Sequence, residues 1–438
     1  MTEEPRYLGS GTVHGDTRSL TGAPPSHLPP RLAISLWDFS WYTRAEAGGP
    51  YADLDAACAR AAGLGYNAVR ICAAPLLLHG GLGLEALAED LVIEGLGTAP
   101  DGGIYGRGTR WYDVPGGYRI NLRTRLLDLF EAAARHGLVV ILASWEYQQS
   151  PAFAESPEWF EAIDAVPLEG RYRVLADAWD RLIGEVSDAG HRDRIALVEL
   201  HNEVDFSILP PLANGSSEVD RLRSLHPDLL ITASYGKPPH LAMHTLPDGL
   251  GAAQFHVYSY GVLDALQQQI DIRSEGSGGF PNRALRALLK PGAPSVAEYG
   301  RLAEWKYRAT VVTGQMLYGY DWLDPDAWDT WLYNEYGPYR EVMRREIESR
   351  VTAIAAWARW KDVPAVVGEG WIGYTPLLGT FEEGPVGRDL AEHAIRTALE
   401  HGVWGMVLCS NAAPHHPLWA DEDWQRRMNH LIRTAPVT

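Results

Sequence analysis

The chain has 438 residues, a formal net charge of −18 and 46% hydrophobic residues. A chain of this size and composition can bury a large core without help from disulfides or metals. The negative charge argues against a nucleic-acid partner, because binding to phosphates depends on lysine and arginine side chains. We therefore expect a globular protein that does not bind nucleic acid.

The first thirty residues contain no apolar stretch typical of a secretion signal, and no later run approaches the roughly 18 apolar residues that a membrane span needs. We interpret residues 1–30 as a flexible leader to a single domain over residues 31–438. The three cysteines, Cys58, Cys72 and Cys409, are few and lie in segments that are typical of helix or strand interiors. We predict a cytoplasmic protein without membrane contact, and the sequence leaves the oligomeric state open.

Short apolar segments alternate with amphipathic helical segments along the chain, which is typical of βαβ units around a parallel sheet. The predicted strands begin at Arg31, Asn67, Leu138, Ile195, Leu229, Ala252, Ala365 and Val403. Eight strand–helix units predict a single α/β (β/α)8 barrel, the TIM barrel, with its functional groups at the C-terminal ends of the strands. A doubly wound sheet is the alternative, but a glycine-rich turn after the first strand is missing.

Two connections are longer than a barrel needs: residues 74–120 after the second strand and residues 259–340 after the sixth. Loops of this length are usually functional or disordered. The second contains an aromatic segment from Tyr318 to Tyr339, which we predict to be irregular and to line the pocket as a lid or pocket wall over the barrel mouth.

Polar side chains follow or end four of the predicted strands. The stretch "VELHNEVDF" ends the fourth strand, and "GEGW" ends the seventh. The side chains expected at the barrel mouth are Arg70 of the second strand, Asn202 and Glu203 of the fourth, His256 and Tyr258 of the sixth, and Glu369 of the seventh. Two carboxylates and a guanidinium in a confined space suit the cleavage of a glycosidic bond.

These strand ends resemble those of the clan A glycoside hydrolases, especially the cellulase-like family 5 enzymes. The fourth strand of that family typically ends in Glu-Leu-x-Asn-Glu-Pro, and this chain has "ELHNEV" from Glu199 to Val204. "GYNAVRI", "PAVVGEGW" and the pair His256 and Tyr258 resemble the second, seventh and sixth strands in the same order. The resemblance covers about residues 31 to 412 and implies a glycoside hydrolase barrel.

The resemblance also implies roles for individual residues. Glu203 would be the acid/base and Glu369 the nucleophile of a retaining double displacement, while Asn202 would donate a hydrogen bond to the sugar 2-hydroxyl. We expect Arg70 to lower the pKa of Glu369 and Tyr258 to donate to its carboxylate. We expect no cofactor and no metal, and a substrate that is a small oligosaccharide or glycoside, β-linked and cleaved from one end.

The chain departs from the family pattern at two strands. The third strand ends in "LASWEYQ", with Trp145 and Glu146 where a histidine is frequent, and the eighth strand lacks the usual tryptophan. We therefore predict that Trp37, Trp145 and Trp371 are the substrate-binding aromatics, with Trp404 as another possible sugar platform.

Two other functions stay open: a metal-dependent barrel hydrolase or isomerase that uses His201, Glu203 and His256, and a non-catalytic carbohydrate-binding relative. Glu199 and His201 are otherwise predicted to face the barrel interior or the next strand and to serve the structure. The pair His415 and His416 in "PHHP" looks like a metal-binding tract but lacks a second pair at ligand spacing, so we predict a solvated loop.

Overall fold

The computed structural model describes residues 20–239, 241–273, 279–373 and 376–436. Its strands are β1 (Leu32–Asp38), β2 (Ala68–Cys72), β3 (Leu91–Ile93), β4 (Tyr118–Ile120), β5 (Val139–Ala143), β6 (Ile195–Glu199), β7 (Ile231–Thr232), β8 (Ser234–Tyr235), β9 (Ala253–Ser259), β10 (Ala365–Ile372) and β11 (Gly405–Val407). Nine of them form one parallel sheet in the order β7-β6-β5-β2-β1-β11-β10-β9-β8.

The sheet closes into a barrel at its fifth strand. The segments β7 and β8 are separated only by Ala233; β7 pairs with β6, whereas β8 pairs with β9. Counted as one strand, they complete a ring of eight parallel strands. The predicted (β/α)8 barrel is confirmed, and the doubly wound alternative is wrong because an open sheet would leave two unpaired edges.

Helices surround the ring. They are α1 (Ser40–Thr43), α2 (Leu54–Gly63), α3 (Pro75–His79), α4 (Glu85–Glu89), α5 (Leu122–Arg135), α6 (Glu158–Asp164), α7 (Arg171–Asp188), α8 (Ser216–Leu225), α9 (Val262–Ile270), α10 (Arg283–Leu288), α11 (Val296–Tyr299), α12 (Glu304–Arg308), α13 (Gly314–Trp322), α14 (Pro325–Glu335), α15 (Arg340–Lys361), α16 (Pro385–Glu400) and α17 (Glu422–Thr434). Helix α5 illustrates how local sequence forms such a helix. The Asn121 side chain caps its N-terminus by accepting the Thr124 N–H at 2.9 Å, and Leu126 and Phe130 are buried on one face.

The two long connections are structured. Helices α3 and α4 and the antiparallel pair β3–β4 follow β2, and helices α9 to α14 follow β9. The segment from Tyr318 to Tyr339 is mostly helical, so the expectation of irregular structure is wrong. Asp324 begins α14 by accepting two backbone N–H groups. The carboxylate of Asp321 accepts the N–H groups of Gly106 and Gly108 at 2.9 and 2.8 Å, which joins the two long connections.

The predicted leader lies partly outside the described residues, which begin at residue 20. Residues 20–30 pack on the N-terminal end of the barrel, where the Thr21 hydroxyl accepts the Ala365 N–H at 2.9 Å and the Pro29 carbonyl accepts the Trp404 indole N–H at 3.0 Å. Among the described residues, every helix is too short or too polar to cross a lipid bilayer.

Candidate active site

The C-terminal ends of four barrel strands meet around a cavity of about 240 Å³. Asn202 and Glu203 follow β6, Tyr258 lies on β9 and Glu369 on β10, and all four side chains line the cavity. Arg70 of β2 and His256 of β9 are fully buried directly behind this wall. The structure thus brings together the six polar residues that the sequence placed at the barrel mouth.

The backbone at Glu203 is held in an unusual conformation. Its φ is +44°, in the left-handed region that non-glycine residues rarely adopt, and its N–H donates to the Ser234 hydroxyl at 3.0 Å. Such conformations persist where the surrounding structure fixes them, and they concentrate at functional sites. The turn carries Glu203 away from the line of β6 and into the cavity.

Both carboxyl oxygens of Glu203 have protein partners. Oε1 lies 2.7 Å from Nδ1 of His256, and Oε2 accepts a hydrogen bond from Gln148 at 2.9 Å. Burial raises the pKa of Glu203, while the Gln148 hydrogen bond and the charge of Arg70 act in the opposite direction. A raised pKa favours the protonated form that a general acid needs.

Glu369 has a different set of partners. Its Oε1 accepts from Nη1 of Arg70 at 2.8 Å, and its Oε2 accepts from the Tyr258 hydroxyl at 2.7 Å. Burial raises the pKa of Glu369, while the charge of Arg70 and the hydrogen bond from Tyr258 lower it by less. Arg70 therefore acts in the predicted direction, but desolvation of the buried carboxylate is the larger effect, so the pKa of Glu369 is raised on balance.

A glycine before Glu369 allows this close packing. A Cβ atom at position 368 would lie 2.1 Å from Nε2 of Gln254 and 3.2 Å from Nε of Arg70. Any side chain there would push away the Gln254 amide, which donates to Glu199 at 2.9 Å, and would press on the guanidinium that contacts Glu369. The first glycine of "GEG" is therefore a requirement of the site.

Arg70 connects the site to the barrel interior. Its guanidinium makes two hydrogen bonds of 2.7 Å to the carboxylate of Glu199, a further one of 2.6 Å to Oδ1 of Asn202, and lies 4.6 Å from the ring centre of Trp145. Such bidentate pairing fixes an arginine in position. Glu199 is fully buried and faces the interior, as the sequence predicted.

The guanidinium also sets the direction of a hydrogen-bond chain. Because Arg70 can only donate, Oδ1 of Asn202 must be the atom that faces it, and Nδ2 of Asn202 then donates to Oε1 of Gln148 at 2.8 Å. Gln148 in turn presents its N–H to Glu203. The sequence reasoning missed Gln148, although it is the last residue of "LASWEYQ", the strand end where the family histidine is absent.

The two carboxylates lie close together. One carboxylate oxygen of Glu203, one of Glu369 and a ring nitrogen of His256 all lie within 4.8 Å of one another. Retaining glycosidases hold their two carboxyl groups about 5–5.5 Å apart, whereas inverting enzymes need roughly 6.5–9.5 Å to admit a water. The 4.8 Å limit applies to the nearest atoms of the two carboxylates, and it agrees with the shorter of the two spacings.

The metal-dependent alternative loses one of its three ligands. Nδ1 of His201 lies 2.6 Å from the Asn202 carbonyl, and its Nε2 accepts the Tyr147 N–H at 3.0 Å, so both ring nitrogens are bound to backbone. Burial lowers the pKa of His201 to about 3 and that of His256 to about 4, so both imidazoles are neutral. Glu203, His256 and Glu369 could still approach one ion, but its charge would lie beside Arg70.

The predicted aromatic residues separate into two groups. Trp145 lines the cavity, whereas Trp37, Trp371 and Trp404 are buried and use their indole N–H groups inside the fold, on Ser35, Leu408 and Pro29 respectively. The structure does not place these three on the cavity wall. Trp111, from the long connection after β2, does line the cavity and was not predicted.

The long connection after β9 reaches the cavity with other residues than expected. Val311 and Met316 line it, whereas the described cavity wall includes no residue from Tyr318 to Tyr339. Tyr318 and Tyr320 are buried, and they pack against the rings of Tyr299 and Trp328 respectively. The predicted pocket-lining role of that segment is therefore wrong.

Two further expectations concern residues beside the site. Glu146 accepts the N–H groups of Leu76 and Leu77 at 2.9 and 2.8 Å, so it caps helix α3 and does not face the cavity. His415 and His416 are buried, and their rings lie 4.0 Å apart between centres at an angle of 42°. The prediction of a solvated loop at "PHHP" is wrong, because this segment packs behind β1.

A protein-family profile described as "Sugar-binding cellulase-like" matches residues 34–211 and 299–433, more than half of the chain. The chain belongs to this cellulase-like family. It is accordingly a glycoside hydrolase, in agreement with the resemblance seen at the strand ends. No curated protein matches the sequence.

Several solved structures are similar to this cellulase-like chain. A protein from Parabacteroides distasonis, described provisionally as a glycoside hydrolase, aligns with a TM-score of 0.64 at 19% identity over 94% of this chain and 95% of the other. An endo-1,4-β-D-mannanase from Thermotoga petrophila gives 0.41 at 16% identity over 86% and 87%, and a GH5_18 protein from Bifidobacterium longum gives 0.46 at 11% identity over 93% and 81%. The first of these likenesses supports the barrel fold.

Proposed function

We propose that this protein is a retaining glycoside hydrolase with Glu203 as acid/base and Glu369 as nucleophile. The observation that supports the proposal most is the close approach of the two carboxylates, within 4.8 Å, together with their different partners. Glu369 has a guanidinium and a phenol as donors, which suits an anion. Glu203 has an amide and a neutral imidazole, which suits a group that gives up and regains a proton.

In the first step, Glu369 attacks the anomeric carbon while Glu203 protonates the glycosidic oxygen, and the alcohol leaves. Oε2 of Glu203 accepts a hydrogen bond from Gln148, and Oε1 lies 2.7 Å from Nδ1 of His256. In the tautomer that carries its proton on Nδ1, His256 donates to Oε1, and the acidic proton of Glu203 then lies on a remaining lone pair, where it is available to the substrate. In the second step, the ionised Glu203 takes a proton from water, which attacks the same carbon and releases Glu369.

Asn202 is placed to hold the sugar. Its oxygen accepts from Arg70, and one of its two N–H bonds points to Gln148. The other N–H is therefore the one that would donate to the 2-hydroxyl, a hydrogen bond that strengthens in an oxocarbenium-like transition state. Arg70 and Gln148 fix the plane of this amide.

The substrate we propose is a small, β-linked glycoside or oligosaccharide that is cleaved from one end. A cavity of about 240 Å³ is small compared with the 300–1,000 Å³ of typical ligand sites, and two long connections supply part of its wall. The proposed location is the cytoplasm, where such substrates would be imported. The three cysteines are free thiols, all buried.

The roles can be tested with aryl and alkyl β-glycosides. Glu203→Ala should nearly abolish the hydrolysis of alkyl glycosides but keep the first step on a dinitrophenyl glycoside, because acid assistance matters only for poor leaving groups. Azide should accelerate its turnover and give a β-glycosyl azide. Glu369→Ala should lose both substrates, and Asp205→Asn, two residues from Glu203, should retain activity.

A 2-fluoro glycoside with a good leaving group should label Glu369, which peptide mass spectrometry would locate. A label on Glu203, or an α-configured azide product from Glu203→Ala, would reverse or refute the proposed roles. Hydrolysis that stops with a chelator and returns with a divalent ion would support the metal-dependent alternative. Sugar binding without hydrolysis of any glycoside would support a non-catalytic relative.

A further inference from the structure

The hydroxyl group of Ser410 lies directly behind the carboxylate of Glu369. Ser410 follows β11, in the strand end "VLCSN" that lacks the tryptophan usual in the family, and it is fully buried. Its backbone N–H donates to the Gly370 carbonyl at 2.6 Å, and its side-chain oxygen accepts the Gly370 N–H at 3.0 Å. Two hydrogen bonds therefore hold Ser410 against the residue that follows Glu369 in β10.

The same hydroxyl contacts the phenol that reaches Glu369. Oγ of Ser410 lies 2.8 Å from the Tyr258 hydroxyl, which lies 2.7 Å from Oε2 of Glu369. An ionised carboxylate can only accept hydrogen bonds, so the single hydroxyl proton of Tyr258 points to Glu369. The Tyr258 oxygen then accepts the proton of Ser410, whose own oxygen already accepts the Gly370 N–H. The chain of donors therefore runs from Ser410 through Tyr258 to Glu369.

The opposite direction leaves one proton without an acceptor. If a protonated Glu369 donated to Tyr258, the phenol would donate to Ser410, and the Ser410 proton would have to turn elsewhere. Among the residues that the structure describes, Tyr258 is the only acceptor within reach of the Ser410 hydroxyl. A buried donor without an acceptor is unfavourable. The chain is therefore complete only when Glu369 is negatively charged.

We propose that Ser410 is a positioning residue of the nucleophile: it holds the Tyr258 phenol as a donor to Glu369 and stabilises negative charge on that carboxylate. Hydrogen bonds in a chain polarise one another, so Ser410 strengthens the bond that Glu369 accepts without touching the carboxylate itself. The described wall of the cavity does not include Ser410, so its effect passes through Tyr258. This assignment rests on the proposed function and deepens it.

The charge on Glu369 changes during the proposed reaction, and this predicts which step Ser410 serves. The charge is full in the free enzyme, absent in the glycosyl ester and partial in both transition states. Stabilisation of the charge therefore favours the second step, in which Glu369 leaves the sugar, and does not favour the first.

The first test is the kinetics of Ser410→Ala on a dinitrophenyl β-glycoside, whose good leaving group makes the second step limiting. The variant should lower kcat about three- to tenfold, the effect of one neutral hydrogen bond, and lower KM by a similar factor because the ester accumulates. On the same substrate, kcat/KM above the acid limb should change by less than about twofold, since it reports only the first step.

The acid limb of the pH profile is the second readout. The charged and titratable groups around Glu369 are Arg70 of β2, His256 and Tyr258 of β9 and Glu203 after β6, with Arg350 of α15 on the same cavity wall. Ser410→Ala leaves all of them in place and weakens the stabilisation of the anion. The pKa of Glu369 should therefore rise, and the acid limb of kcat/KM should move to higher pH.

Two conservative variants and one control accompany the alanine variant. Ser410→Thr keeps the hydroxyl and should restore both readouts, while Ser410→Cys keeps a weak donor of similar size and should give smaller changes if the alanine variant does not fold. Ser35→Ala is the matched control, because it removes another buried hydroxyl that bonds the Ala412 carbonyl and the Trp37 indole. It should change neither readout.

A double-mutant cycle separates positioning from packing. Tyr258→Phe removes the phenol oxygen through which Ser410 acts, so Ser410→Ala should have little further effect on kcat or on the acid limb in that background. Equal losses from Ser410→Ala in the presence and absence of the phenol oxygen, with an unmoved acid limb, would overturn the proposal and make Ser410 a packing residue.

The two proposals can fail separately. The pKa of Glu369 can be measured without turnover from the ¹³C NMR titration of the glutamate carboxyl groups, with Glu369→Gln to assign the signal. A higher pKa in Ser410→Ala, in a protein that hydrolyses no glycoside or is labelled on Glu203, keeps the hydrogen-bond chain and refutes the proposed nucleophile. A label on Glu369, with the same pKa and kinetics in Ser410→Ala and the wild type, refutes the role of Ser410 and keeps the catalysis.

Discussion

Substitution of Gln148 tests whether the hydrogen-bond chain from Arg70 to the acid matters for catalysis. Gln148→Met keeps the side-chain length but removes the N–H that Glu203 accepts at 2.9 Å and the oxygen that Asn202 contacts at 2.8 Å. As the leaving group departs, Glu203 becomes negatively charged, and the amide N–H stabilises that charge. A hydrogen bond to a charged group contributes about 1.5–3 kcal/mol. The expected loss in kcat/KM is therefore about 10- to 150-fold for poor leaving groups.

The loss should depend on the substrate. A dinitrophenyl glycoside needs no proton in the first step, so its kcat/KM should fall by no more than a few fold. The Gln148 hydrogen bond lowers the pKa of Glu203, so the variant should also shift the alkaline limb of the pH profile to higher pH. Gln148→Glu should shift it further, because a second carboxylate beside Glu203 disfavours its ionisation.

The assay is initial-rate kinetics across a series of aryl β-glycosides, with Gln149→Met as the matched control on the same cavity wall. The slope of log(kcat/KM) against leaving-group pKa should steepen in Gln148→Met and stay unchanged in the control. An equal loss on all leaving groups, with no movement of the alkaline limb, would refute the positioning role and indicate a general packing defect.

Three further results are expected. The profile of kcat/KM against pH should be bell-shaped, rising as Glu369 loses its proton and falling as Glu203 loses its own. Because burial raises the pKa of both groups, each limb should lie above the 4.5 of an ordinary glutamate. An acid limb below 4.5 would contradict this expectation. Glu146→Ala should lower the free energy of unfolding by roughly 3 kcal/mol in urea, because it removes the acceptor of two helix N–H groups and of the Trp159 indole N–H. Glu146→Gln should lower it by less. Equal stability of the Glu146→Ala variant and the wild type would refute the capping role. Prolonged dialysis against a chelator should leave the rate on an aryl β-glycoside unchanged, and a loss reversed by a divalent ion would refute the metal-free mechanism.

The sequence determined the barrel and the identity of its polar strand ends. Apolar runs with helices between them dictate parallel strands, and in such a barrel the residue after each run must point toward one mouth. For this reason Glu203, His256, Tyr258 and Glu369 could be predicted as neighbours although up to 166 positions separate them. The split of the fifth strand at Ala233 and the helices α13 and α14 were outside the reach of local pattern, because strand pairing and tertiary packing decided them.

The tertiary structure alone decided the chemistry between those neighbours. The separation of the carboxylates and the direction of the amides of Asn202 and Gln148 depend on distances between residues remote in sequence. The same holds for the raised pKa of Glu369, where the cost of burial exceeds the attraction of Arg70. Among the aromatics, Trp37 and Trp371 are buried while Trp111 reaches the cavity from a long connection. Composition and periodicity specify which residues face inward. Only the packed fold determines which of these side chains contact one another and how completely water is excluded from the buried carboxylates.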